Sequence, residues 1–414
     1  MKFTDFQLST KIIKPLKEKQ FLVPTLVQQE VIPLILKMQD LIVEAQTGSG
    51  KSASFILPLL ELWNTKRDSA KKGKIKILVL TPTRELTQQV AAAFSDFSKY
   101  FIRKPQVVSV VGGEKIGEQL YKIQQGCDIL VATSGRFLDL LSKKQMNLSF
   151  IEHFVLDEAD KMLGLGFEEE LDLILESIPK KRQNLLFSAT YPKKMLHIAS
   201  KISSNAVQLK IASQTPVVNT IKQRVIKVHR EKRGPLLRYL LKKHKWKLVL
   251  VFMANKRATD NIAQKFRKYG VSAASFNADL DQELRNATLS AFKKGKVNIL
   301  FATDIAARGL DIDDIECVIN YDLPRSPADY IHRIGRTARA GKSGDAISFI
   351  DYETEAHFKL IEKRSQINLE YETIEEFALK GEVPKKVKGP APVKGKKKSK
   401  KDKLREKIKQ NEER

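Results

Sequence analysis

The sequence predicts two α/β domains, each a parallel β-sheet flanked by helices, followed by a disordered basic C-terminal tail. Short continuous runs of Val, Ile and Leu alternate with longer amphipathic stretches, which is the pattern of parallel strands covered on both faces. These runs form two sets, and a polar, Pro-containing interval at 211–220 separates them. The chain of 414 residues is long enough for two or three domains that each bury a core.

The apolar runs predict the strands in chain order. The first set is KILVLTPT, QVVSVVGG, DILVATSGR, FVLDEAD and NLLFSAT, and the second is KLVLVFMAN, VSAASFNAD, NILFATDIAARG, CVINYDLP and DAISFID. Several runs end in polar residues, and open α/β sheets bind ligands beyond the carboxyl ends of their strands. We therefore expect these polar ends to converge on shared surfaces.

The domain boundaries follow from the same pattern. We predict an N-terminal domain at 1–210, a linker at 211–220, a C-terminal domain at 221–366 and an extension at 367–414 that is disordered from about residue 385. Residues 385–414 contain 14 Lys or Arg and 4 Asp or Glu, with almost nothing to bury. Two interpretations stay open: a solvated tail without function, and a tether to phosphate backbones whose contribution falls with added salt.

The composition restricts the classes of partner and compartment. Lys and Arg number 74 against 48 Asp and Glu, a net charge of +26, which favours nucleic acid or, less often, anionic lipid. Cys127 and Cys317 both lie in apolar runs and are interpreted as buried thiols of a reducing compartment rather than a disulfide or metal site. No signal-peptide pattern and no apolar run of about 20 residues is present, so the expected location is cytoplasmic, without membrane association.

The segment AQTGSGKS, Ala45–Ser52, predicts a nucleotide-binding P-loop. It follows the apolar LIVE, precedes an apolar helix, and departs from the P-loop pattern only in the alanine at its first position. Gly48 and Gly50 allow the backbone amides to face phosphate oxygens, and the helix adds its positive N-terminus. Lys51 is expected to reach the β- and γ-phosphates, and Ser52 to coordinate Mg²⁺. The predicted nucleotide-binding residues of this loop are Thr47, Gly48, Ser49, Gly50, Lys51 and Ser52.

Three carboxylates, Asp157, Glu158 and Asp160, follow the apolar FVL within four positions. Desolvating like charges so close together is costly unless a cation lies among them. If Mg²⁺ and a nucleoside triphosphate bind at the P-loop, a neighbouring strand must supply a carboxylate ligand for the metal. The Mg²⁺ would then be the cation among these carboxylates. We expect Asp157 to hold the metal and Glu158 to act as the base or the orienting group for an attacking water.

Asp157–Asp160 spell DEAD, and the chain from about Phe3 to Ile350 resembles the DEAD-box ATP-dependent RNA helicases, as a compact bacterial-type member. About ten motifs in the order of that family leave little room for coincidence. The further motifs are QFLVPTLVQ at 20–28, PTRELT at 82–87, Gly112 with Gly113, TSGR at 133–136, SAT at 188–190, VFMAN at 251–255, QELR at 282–285, ATDIAARGLD at 302–311 and HRIGRTAR at 332–339.

The resemblance implies two tandem RecA-like domains and an RNA-stimulated ATPase that unwinds short duplexes or remodels RNA–protein complexes. It also implies ATP and Mg²⁺ as cofactors, RNA as partner, ribosomal or RNA-decay assemblies as candidate contexts, and action as a monomer. RNA rather than DNA follows from the family alone, since composition does not show that a groove senses 2′-hydroxyls.

The resemblance also assigns residues to roles. Gln28 would read the adenine edge, Phe21 would stack on the base with Phe3 behind it, and Asp304 would sense the ribose. The residues implied in coupling hydrolysis to unwinding are Ser188, Thr190, Asp160, His332 and Arg333. The residues implied in RNA binding are Pro82, Thr83, Arg84, Gly113, Thr133, Gly135, Arg136, Arg285, Thr303, Arg308 and Gly309.

Only the first domain has a P-loop, so the second must contribute something else to one shared nucleotide site. Arg336 and Arg339 are three positions apart, on one face if helical, and are expected to reach the γ-phosphate as catalytic arginine fingers. Arg333 and His332 are expected to bridge to the acidic motif and to SAT. An arginine-rich surface that binds RNA alone is the alternative for this segment.

The departures from the family pattern are mild and predict an active enzyme. Two further interpretations stay open: a nucleic-acid-binding protein, such as an annealing chaperone or ATP-gated clamp whose hydrolysis times release, and a DNA translocase. The departing residues are Gln20, Ser52, Thr87, Ser134 and Ala338, the last of which adds a methyl group between two arginines.

Overall fold

Two parallel β-sheets of seven strands each organise the part of the chain that the structure describes. The structure, a computed structural model, describes residues 1–46, 48–65, 74–191, 193–202, 205–211, 221–307, 312, 315–338 and 343–379. The described residues up to 211 form the first lobe and those from 221 form the second. No described helix is long and apolar enough to cross a membrane.

The first lobe begins with a 3-10 turn, Phe3–Phe6, and its strands run in the order β3-β4-β2-β5-β6-β1-β7, all parallel. Its elements are α1 (Thr10–Glu18), α2 (Leu26–Leu36), β1 (Leu41–Glu44), α3 (Lys51–Thr65), β2 (Ile77–Thr81), α4 (Arg84–Phe97), β3 (Val107–Val110), α5 (Ile116–Gln125), β4 (Ile129–Thr133), α6 (Ser134–Ser142), β5 (His153–Leu156), α7 (Ala159–Gly164), α8 (Glu168–Ser177), β6 (Gln183–Ser188), α9 (Lys193–Ile202) and β7 (Val207–Lys210).

The second lobe repeats this plan, with its strands in the order β10-β11-β9-β12-β13-β8-β14, again all parallel. Its helices are α10 (Arg233–His244), α11 (Lys256–Lys268), α12 (Gln282–Lys293), α13 (Asp304–Ala307), α14 (Pro327–Ile334) and α15 (Glu355–Ser365). Its strands are β8 (Ile221–Lys227), β9 (Val249–Met253), β10 (Ala273–Phe276), β11 (Ile299–Thr303), β12 (Cys317–Asn320), β13 (Gly344–Ile350) and β14 (Tyr371–Glu372).

Each sheet is buried on both faces, which explains the continuous apolar runs. Along β2, Val79 joins one core cluster while its neighbours Leu78 and Leu80 join the cluster on the other face, because successive side chains of a strand point to opposite sides. Phe187 of β6 is fully buried, and burial of such a side chain contributes roughly 1.5–3 kcal/mol. The predicted fold class is confirmed, and every apolar run named above contains a strand.

Strands β7, β8 and β14 are absent from the runs that the sequence analysis singled out. Successive residues of β7 alternate between half-buried and exposed, and β7 pairs only with β1, so it lies at the edge of its sheet. β8 mixes buried and exposed positions, and β14, which covers only part of it, has two residues. All three strands have half-buried or exposed positions, so they lack the continuous apolar signal of the fully buried strands.

The second lobe extends beyond residue 366, where the sequence placed its end. Tyr371 and Glu372 pair with Val225 and Ile226, and Phe377 is buried in the core of the second lobe. A two-residue strand carries too little pattern to mark a boundary. Cys127 and Cys317 are both buried free thiols, as predicted. The predicted linker, apart from Ile211, and the predicted disordered tail lie outside the described residues.

Candidate functional site

The P-loop connects β1 to α3 at the carboxyl edge of the first sheet. Gly48 and Gly50 have φ of +83° and +91°, a left-handed conformation that glycine adopts without strain. A Cβ on Gly50 would lie 2.6 Å from Nε2 of Gln28, so the loop also needs glycine there for space. Ser49 donates from Oγ to the carbonyl oxygen of Gln46 at 2.7 Å, while Thr47 lies outside the described residues.

Lys51, the first residue of α3, folds back over the loop. Its Nζ donates to the carbonyl oxygens of Ala45 at 2.5 Å and Gln46 at 2.9 Å, and the residue is 7% exposed. Burial lowers the pKa of Lys51, whereas the nearby carboxylates of Asp157 and Glu158 act in the opposite direction. An ammonium group held over a loop of glycines is suited to an anionic ligand. Ser52 follows it in the first turn of the helix.

Asp157 and Glu158 lie at the carboxyl end of β5 and are 2% and 8% exposed. Oδ1 of Asp157 accepts a hydrogen bond from the backbone amide of Glu158 at 2.9 Å. Glu158 itself has φ of +52°, a left-handed conformation that is uncommon outside glycine and is often found at functional sites. The strand end therefore turns sharply, and two adjacent carboxylates are directed into the same buried region.

The two carboxyl groups differ in their electrostatic environment. Burial, together with the charge of Glu158, raises the pKa of Asp157 to about 7. Burial acts on Glu158 in the same direction, but the charge and hydrogen bond of Lys161, together with the charges of Arg336 and Lys51, outweigh it and hold the pKa of Glu158 below its ordinary value. Lys161 donates from Nζ to Oε1 of Glu158 at 2.7 Å, and both side chains are buried.

This donor set fits a Mg²⁺ ion that is shared with a phosphate ligand. Oε2 of Glu158 is buried without a hydrogen-bond partner, and Asp157 is a buried carboxyl group whose ionised form needs a cation. Among the described residues, no three His, Cys, Asp or Glu side chains are grouped as a metal site. Mg²⁺ is commonly held by one or two carboxylates plus water and phosphate oxygens, so a sparse protein ligand set is what this metal requires.

Hydrogen bonds join the acidic turn to the segment after β6. Thr190 donates from Oγ1 to Oδ2 of Asp160 at 2.9 Å, and the backbone amide of Asp160 donates to Oγ of Ser188 at 3.3 Å. Ser188 in turn donates from Oγ to the carbonyl oxygen of Thr190 at 2.6 Å. The structure thus brings together three of the residues predicted to couple hydrolysis to unwinding.

Gln28, in the first turn of α2, connects its helix to the P-loop. Its Oε1 accepts from the backbone amide of Thr25 at 3.0 Å, and its Nε2 donates to the carbonyl oxygen of Gly50 at 3.2 Å. Phe21, in the connection between α1 and α2, is 47% exposed, whereas Phe3 is buried. An exposed aromatic ring and a fixed amide beside the P-loop are suited to a flat polar base.

The second lobe presents basic side chains to the acidic turn. His332 of α14 lies in a small cavity that is lined by Lys161 of the first lobe and by Arg333 and Arg336 of the second. Burial, followed by the charge of Lys161, lowers the pKa of His332 to about 3. Arg336 is 5% exposed, donates from Nε to the carbonyl oxygen of His332 at 3.2 Å, and is close enough to lower the pKa of Glu158.

One expectation for this segment differs from the structure. α14 ends at Ile334, so Arg336 lies after the helix, and Arg339 lies outside the described residues. Arg333 does not bridge to the acidic motif. It pairs with Asp304 of its own lobe through hydrogen bonds of 2.6 Å and 2.7 Å, since both carboxylate oxygens match the fork of its guanidinium group. Asp304, the predicted ribose contact, is occupied by this pair.

Most of the described residues predicted to bind RNA lie at or just after the carboxyl ends of strands. Thr83 caps α4, with Oγ1 accepting from the amide of Leu86 at 3.3 Å, and Arg136 donates to the carbonyl oxygen of Glu114 at 2.8 Å. Gly113 has φ of +85°, and a Cβ there would lie 2.5 Å from Nη1 of Arg84. Pro82 follows β2, Thr133 ends β4, Gly135 lies in the first turn of α6, Thr303 ends β11, and Arg308 and Gly309 lie outside the described residues.

Arg285, one of the residues predicted to bind RNA, is buried against the first lobe in the structure. Its Nε donates to Oε1 of Glu85 at 2.7 Å, and the guanidinium carbon lies 4.3 Å from the centroid of the Phe276 ring. Beside this pair, Arg84 donates from Nη1 to Oε1 of Gln282 at 3.3 Å. The two lobes are thus joined by an ion pair whose side chains are only 5% and 6% exposed.

Glu85 and Lys161 have no role in the sequence analysis, although each forms a buried ion pair with a predicted site residue. Lys161 is three residues after Glu158, the spacing at which two side chains meet in a helical turn. Glu85 stands in the first turn of α4, where an acidic residue is also explained by the helix dipole. The spacing could therefore have indicated the role of Lys161. The position of Glu85 is ambiguous until its partner in the other lobe, Arg285, is known.

Two family models match this chain in succession. The DEAD/DEAH box helicase model matches residues 25–198, and the helicase conserved C-terminal domain model matches residues 231–341. The first match contains the P-loop, the acidic turn and the segment after β6. The second contains α14 and Arg336.

Relatives agree with these matches. The chain is 40% identical over 369 residues to the ATP-dependent RNA helicase DeaD of Buchnera aphidicola subsp. Baizongia pistaciae, covering 89% of this chain and 60% of that protein. It is 36% identical over 383 residues to the DEAD-box ATP-dependent RNA helicase CshA of Bacillus subtilis, covering 92% of this chain and 76% of that protein. The chain thus spans about three fifths of the length of the DeaD relatives.

Solved structures of similar fold contain nucleotide analogues and RNA. One is Dbp5 of S. cerevisiae bound to RNA and ADP BeF3, with a TM-score of 0.79 and 28% identity, covering 90% of this chain and 95% of that chain. Another is Mss116p bound to ssRNA and AMP-PNP, with a TM-score of 0.81 and 28% identity, covering 90% of this chain and 78% of that chain. The successive family matches, the relatives and the shared fold lead to one assignment: this chain belongs to the DEAD/DEAH box helicases.

Proposed function

We propose that this protein is an RNA-stimulated ATPase that uses ATP binding and hydrolysis to separate short RNA duplexes or remodel RNA–protein complexes. The observation that carries the proposal is that both lobes supply side chains to one site. Lys51 and Glu158 of the first lobe and His332 and Arg336 of the second are close enough to shift one another's pKa values or to line the same cavity. A ligand bound there favours the closed pair of lobes.

The side chains divide the work of ATP hydrolysis between them. Gln28 and Phe21 bind the base, Lys51 leaves the carbonyl oxygens of the loop to bind phosphate oxygens, and Glu158 orients water and accepts its proton through the buried oxygen that has no partner. Arg336, with Arg339 as the further candidate, offsets negative charge on the phosphates.

Mg²⁺ held by Ser52 and Asp157 would supply charge neutralisation at the phosphate oxygens. The raised pKa of Asp157 supports this assignment. Without a metal, burial favours the protonated carboxyl group, whereas a nearby cation would lower its pKa and keep it ionised at neutral pH. Lys161 holds Glu158 in its ionised form, which is the form that accepts a proton.

The RNA site is proposed at the carboxyl edges of the two sheets. Arg84, Arg136 and Thr303 lie there on both lobes, and backbone-contacting groups of this kind bind RNA without reading its sequence. Asp160, Ser188 and Thr190 join the nucleotide site to the segment after β6, so we propose that they transmit hydrolysis to the groove. RNA is the proposed partner because DeaD and CshA are named as RNA helicases and the Dbp5 and Mss116p structures contain RNA.

The test compares ATP hydrolysis by the full chain with single-stranded RNA, with DNA of the same sequence and with no nucleic acid. We expect RNA alone to stimulate hydrolysis and the protein to separate a short labelled RNA duplex only with ATP. Glu158→Gln should lower kcat by about 100-fold or more, because general base catalysis contributes about 10²–10⁴. Glu169→Gln, an exposed carboxylate on α8, is the matched control and should leave kcat unchanged.

Other outcomes would replace the proposal. If duplex separation survives Glu158→Gln but is lost in a chain that ends at Glu382, the protein is a nucleic-acid-binding protein that acts through its basic tail. If DNA stimulates hydrolysis as well as RNA does, a DNA translocase is the better description.

The cellular context is also a proposal. We propose that the protein acts as a monomer in the cytoplasm, on RNA of ribosomal or RNA-decay assemblies. The bacterial relatives DeaD and CshA are named as ATP-dependent RNA helicases, which supports action on RNA. Crosslinking in cells followed by sequencing of the bound RNA tests the context directly.

A further inference from the structure

A large part of the positive charge is concentrated in one segment of the second lobe. Residues 233–270 contain eleven Lys or Arg and one acidic residue, Asp260, a net charge of +10 out of +26 for the whole chain. The motifs of the sequence analysis touch this segment only at Val251–Asn255. That motif contains no Lys or Arg, so the basic residues of the segment have no role in the function proposed above.

The segment contains α10, β9 and α11, and its two helices pack on the same face of the second sheet. Leu236, Leu237 and Leu240 of α10 share a core cluster with Ala263 and Phe266 of α11. The basic side chains on the outer sides of both helices therefore add to one electrostatic field.

The C-terminal half of α11 lies far from the nucleotide site. α11 begins at Lys256, just after the carboxyl end of β9, and ends at Lys268, before the amino end of β10. Arg267 donates to the carbonyl oxygen of Ala273, the first residue of β10, at 3.1 Å. A helix of 13 residues is about 20 Å long, so this end lies across the sheet from the carboxyl edge.

An open cavity of about 440 Å³ marks this end of α11, and Asn261, Gln264, Lys265, Lys268 and Tyr269 line it. Tyr269 is 53% exposed, so about half of its side chain is open to solvent. Arg238 of α10 packs on its ring, with the guanidinium carbon 4.0 Å from the centroid.

The lysines of the cavity lack compensating charges. Within the described residues, no carboxylate lies at ion-pair distance from Lys265 or Lys268, whose side chains are exposed. Asp260, the acidic residue of the segment, is engaged by Nδ2 of Asn277 at 3.0 Å. The site thus combines uncompensated cations, two side-chain amides and an exposed aromatic ring.

We propose that this cavity, which we call the Tyr269 site, binds single-stranded RNA outside the groove between the lobes. Single-strand sites combine cations that follow the backbone with aromatic rings on which bases stack, and both are present here. Lys265 and Lys268 bind phosphates, Tyr269 stacks on a base, and Arg238 supports its ring from behind. Asn261 and Gln264 offer hydrogen bonds to base edges. RNA as the ligand rests on the proposed function.

A second contact of this kind gives the enzyme a local anchor. RNA that leaves the groove stays attached to the second lobe while the lobes open and close, so successive cycles act on the same neighbourhood. The predicted basic tail provides charge without an aromatic ring, whereas the Tyr269 site adds stacking to charge. This difference makes the two contributions separable by their salt dependence.

The experiment compares binding of two labelled single-stranded RNAs to the full chain by fluorescence anisotropy across a salt series. One has about 6 nucleotides and the other about 20, since single-strand sites span about 4–16. We expect Lys265→Glu/Lys268→Glu to weaken binding of the long RNA by about 10-fold and to reduce its salt slope by about 1.4, at about 0.7 per phosphate. Tyr269→Ala should weaken it by about 5-fold or more without changing the slope.

The matched control is Lys180→Glu/Lys181→Glu, which makes the same charge change at two exposed lysines of the first lobe. It should bind the long RNA like the unmodified chain, and Lys265→Arg/Lys268→Arg should retain the affinity. Binding of the short RNA and kcat for ATP hydrolysis at saturating RNA should be unchanged in every variant, because the substituted residues lie outside the nucleotide site and the groove.

Two results overturn the proposal. Binding of the long RNA that is equal in the Tyr269-site variants and the control shows that the cavity does not hold RNA. If the Tyr269-site variants lose binding to a labelled poly-glutamate peptide but bind RNA like the unmodified chain, the cavity binds an acidic protein instead. These binding comparisons need no ATP hydrolysis, so they test the Tyr269 site independently of the proposed function. The proposed function is overturned by a different result, namely that the unmodified chain shows no RNA-stimulated ATPase.

Discussion

Lys161 and Glu158 form a buried ion pair in which Nζ of the lysine lies 2.7 Å from Oε1 of the carboxylate. Their positions in a helical turn place the cation beside the proposed base, while the other carboxylate oxygen stays without a partner. The charge of Lys161 opposes the effect of burial and holds the pKa of Glu158 low. We therefore propose that Lys161 is a positioning residue that helps to keep the proposed base ionised.

Replacement of Lys161 should shift the pH dependence of ATP hydrolysis. In Lys161→Met the opposing charge is lost, so burial raises the pKa of Glu158 and the acid limb of kcat moves to higher pH. The measurement is kcat at saturating ATP and RNA from pH 5 to 9. Lys161→Arg keeps the charge and should, like the unmodified chain, show no acid limb from Glu158 within this pH range. An unmoved limb in Lys161→Met would show that Lys161 does not set this pKa.

Asp157 should make stability depend on pH in the absence of nucleotide and metal. Burial raises its folded-state pKa from 3.8 to about 7, so folding favours the protonated form. Compared with a neutral side chain, the ionised carboxylate lowers the free energy of unfolding. This loss of stability is absent below about pH 4, grows as the pH rises toward 7, and is complete above 7. At about 1.4 kcal/mol per pKa unit, the full cost is a few kcal/mol.

Asp157→Asn should therefore raise the Tm of the nucleotide-free chain at pH 8 and lose this advantage as the pH falls toward 4. Thermal unfolding followed by circular dichroism across this range measures the difference. Glu169→Gln, at an exposed carboxylate, should show no such pH-dependent gain. A constant difference between Asp157→Asn and the unmodified chain would contradict the raised pKa.

The two P-loop glycines provide a matched pair of substitutions. Gly48→Ala and Gly50→Ala both place a side chain at a positive φ, but only the new Cβ at residue 50 lies 2.6 Å from Nε2 of Gln28. Since Gln28 also bonds to this loop, we expect Gly50→Ala to displace both and to weaken ATP binding by about 10-fold more than Gly48→Ala, equivalent to about 1.4 kcal/mol. Titration with a fluorescent ATP analogue measures both. Equal losses would mean that strain, not the contact with Gln28, limits binding.

The ion pair between Glu85 and Arg285 should stabilise the closed arrangement of the lobes. Removing either partner leaves the charge of the other buried without a counter-charge. This strongly destabilises the closed arrangement unless the lobes separate and admit water. Glu85→Ala and Arg285→Ala should each give a larger radius of gyration in small-angle scattering with AMP-PNP and RNA. The reversed pair, Glu85→Arg with Arg285→Glu, should recover part of the compaction. Single variants that scatter like the unmodified chain would exclude this role.

Much of the fold was predictable because local patterns carry it. The strand β5 and the acidic turn after it are continuous in sequence, and so are β1 and the P-loop, so apolar runs followed by polar ends were sufficient to place them. The strands β7 and β8, at or beside a sheet edge, were not predictable in this way, because strands that are less completely covered need no continuous apolar run.

The sequence alone determined the two α/β lobes, the P-loop and the order of the motifs, because each strand, loop and motif is marked by a short continuous stretch of residues. Only the tertiary structure decided that Arg285 faces Glu85, that Arg333 pairs with Asp304, and that Tyr269 lies against Arg238 beside two lysines. These pairs join residues that are distant in sequence. Burial and distance select the partner of an arginine, and a motif specifies only that the arginine is present.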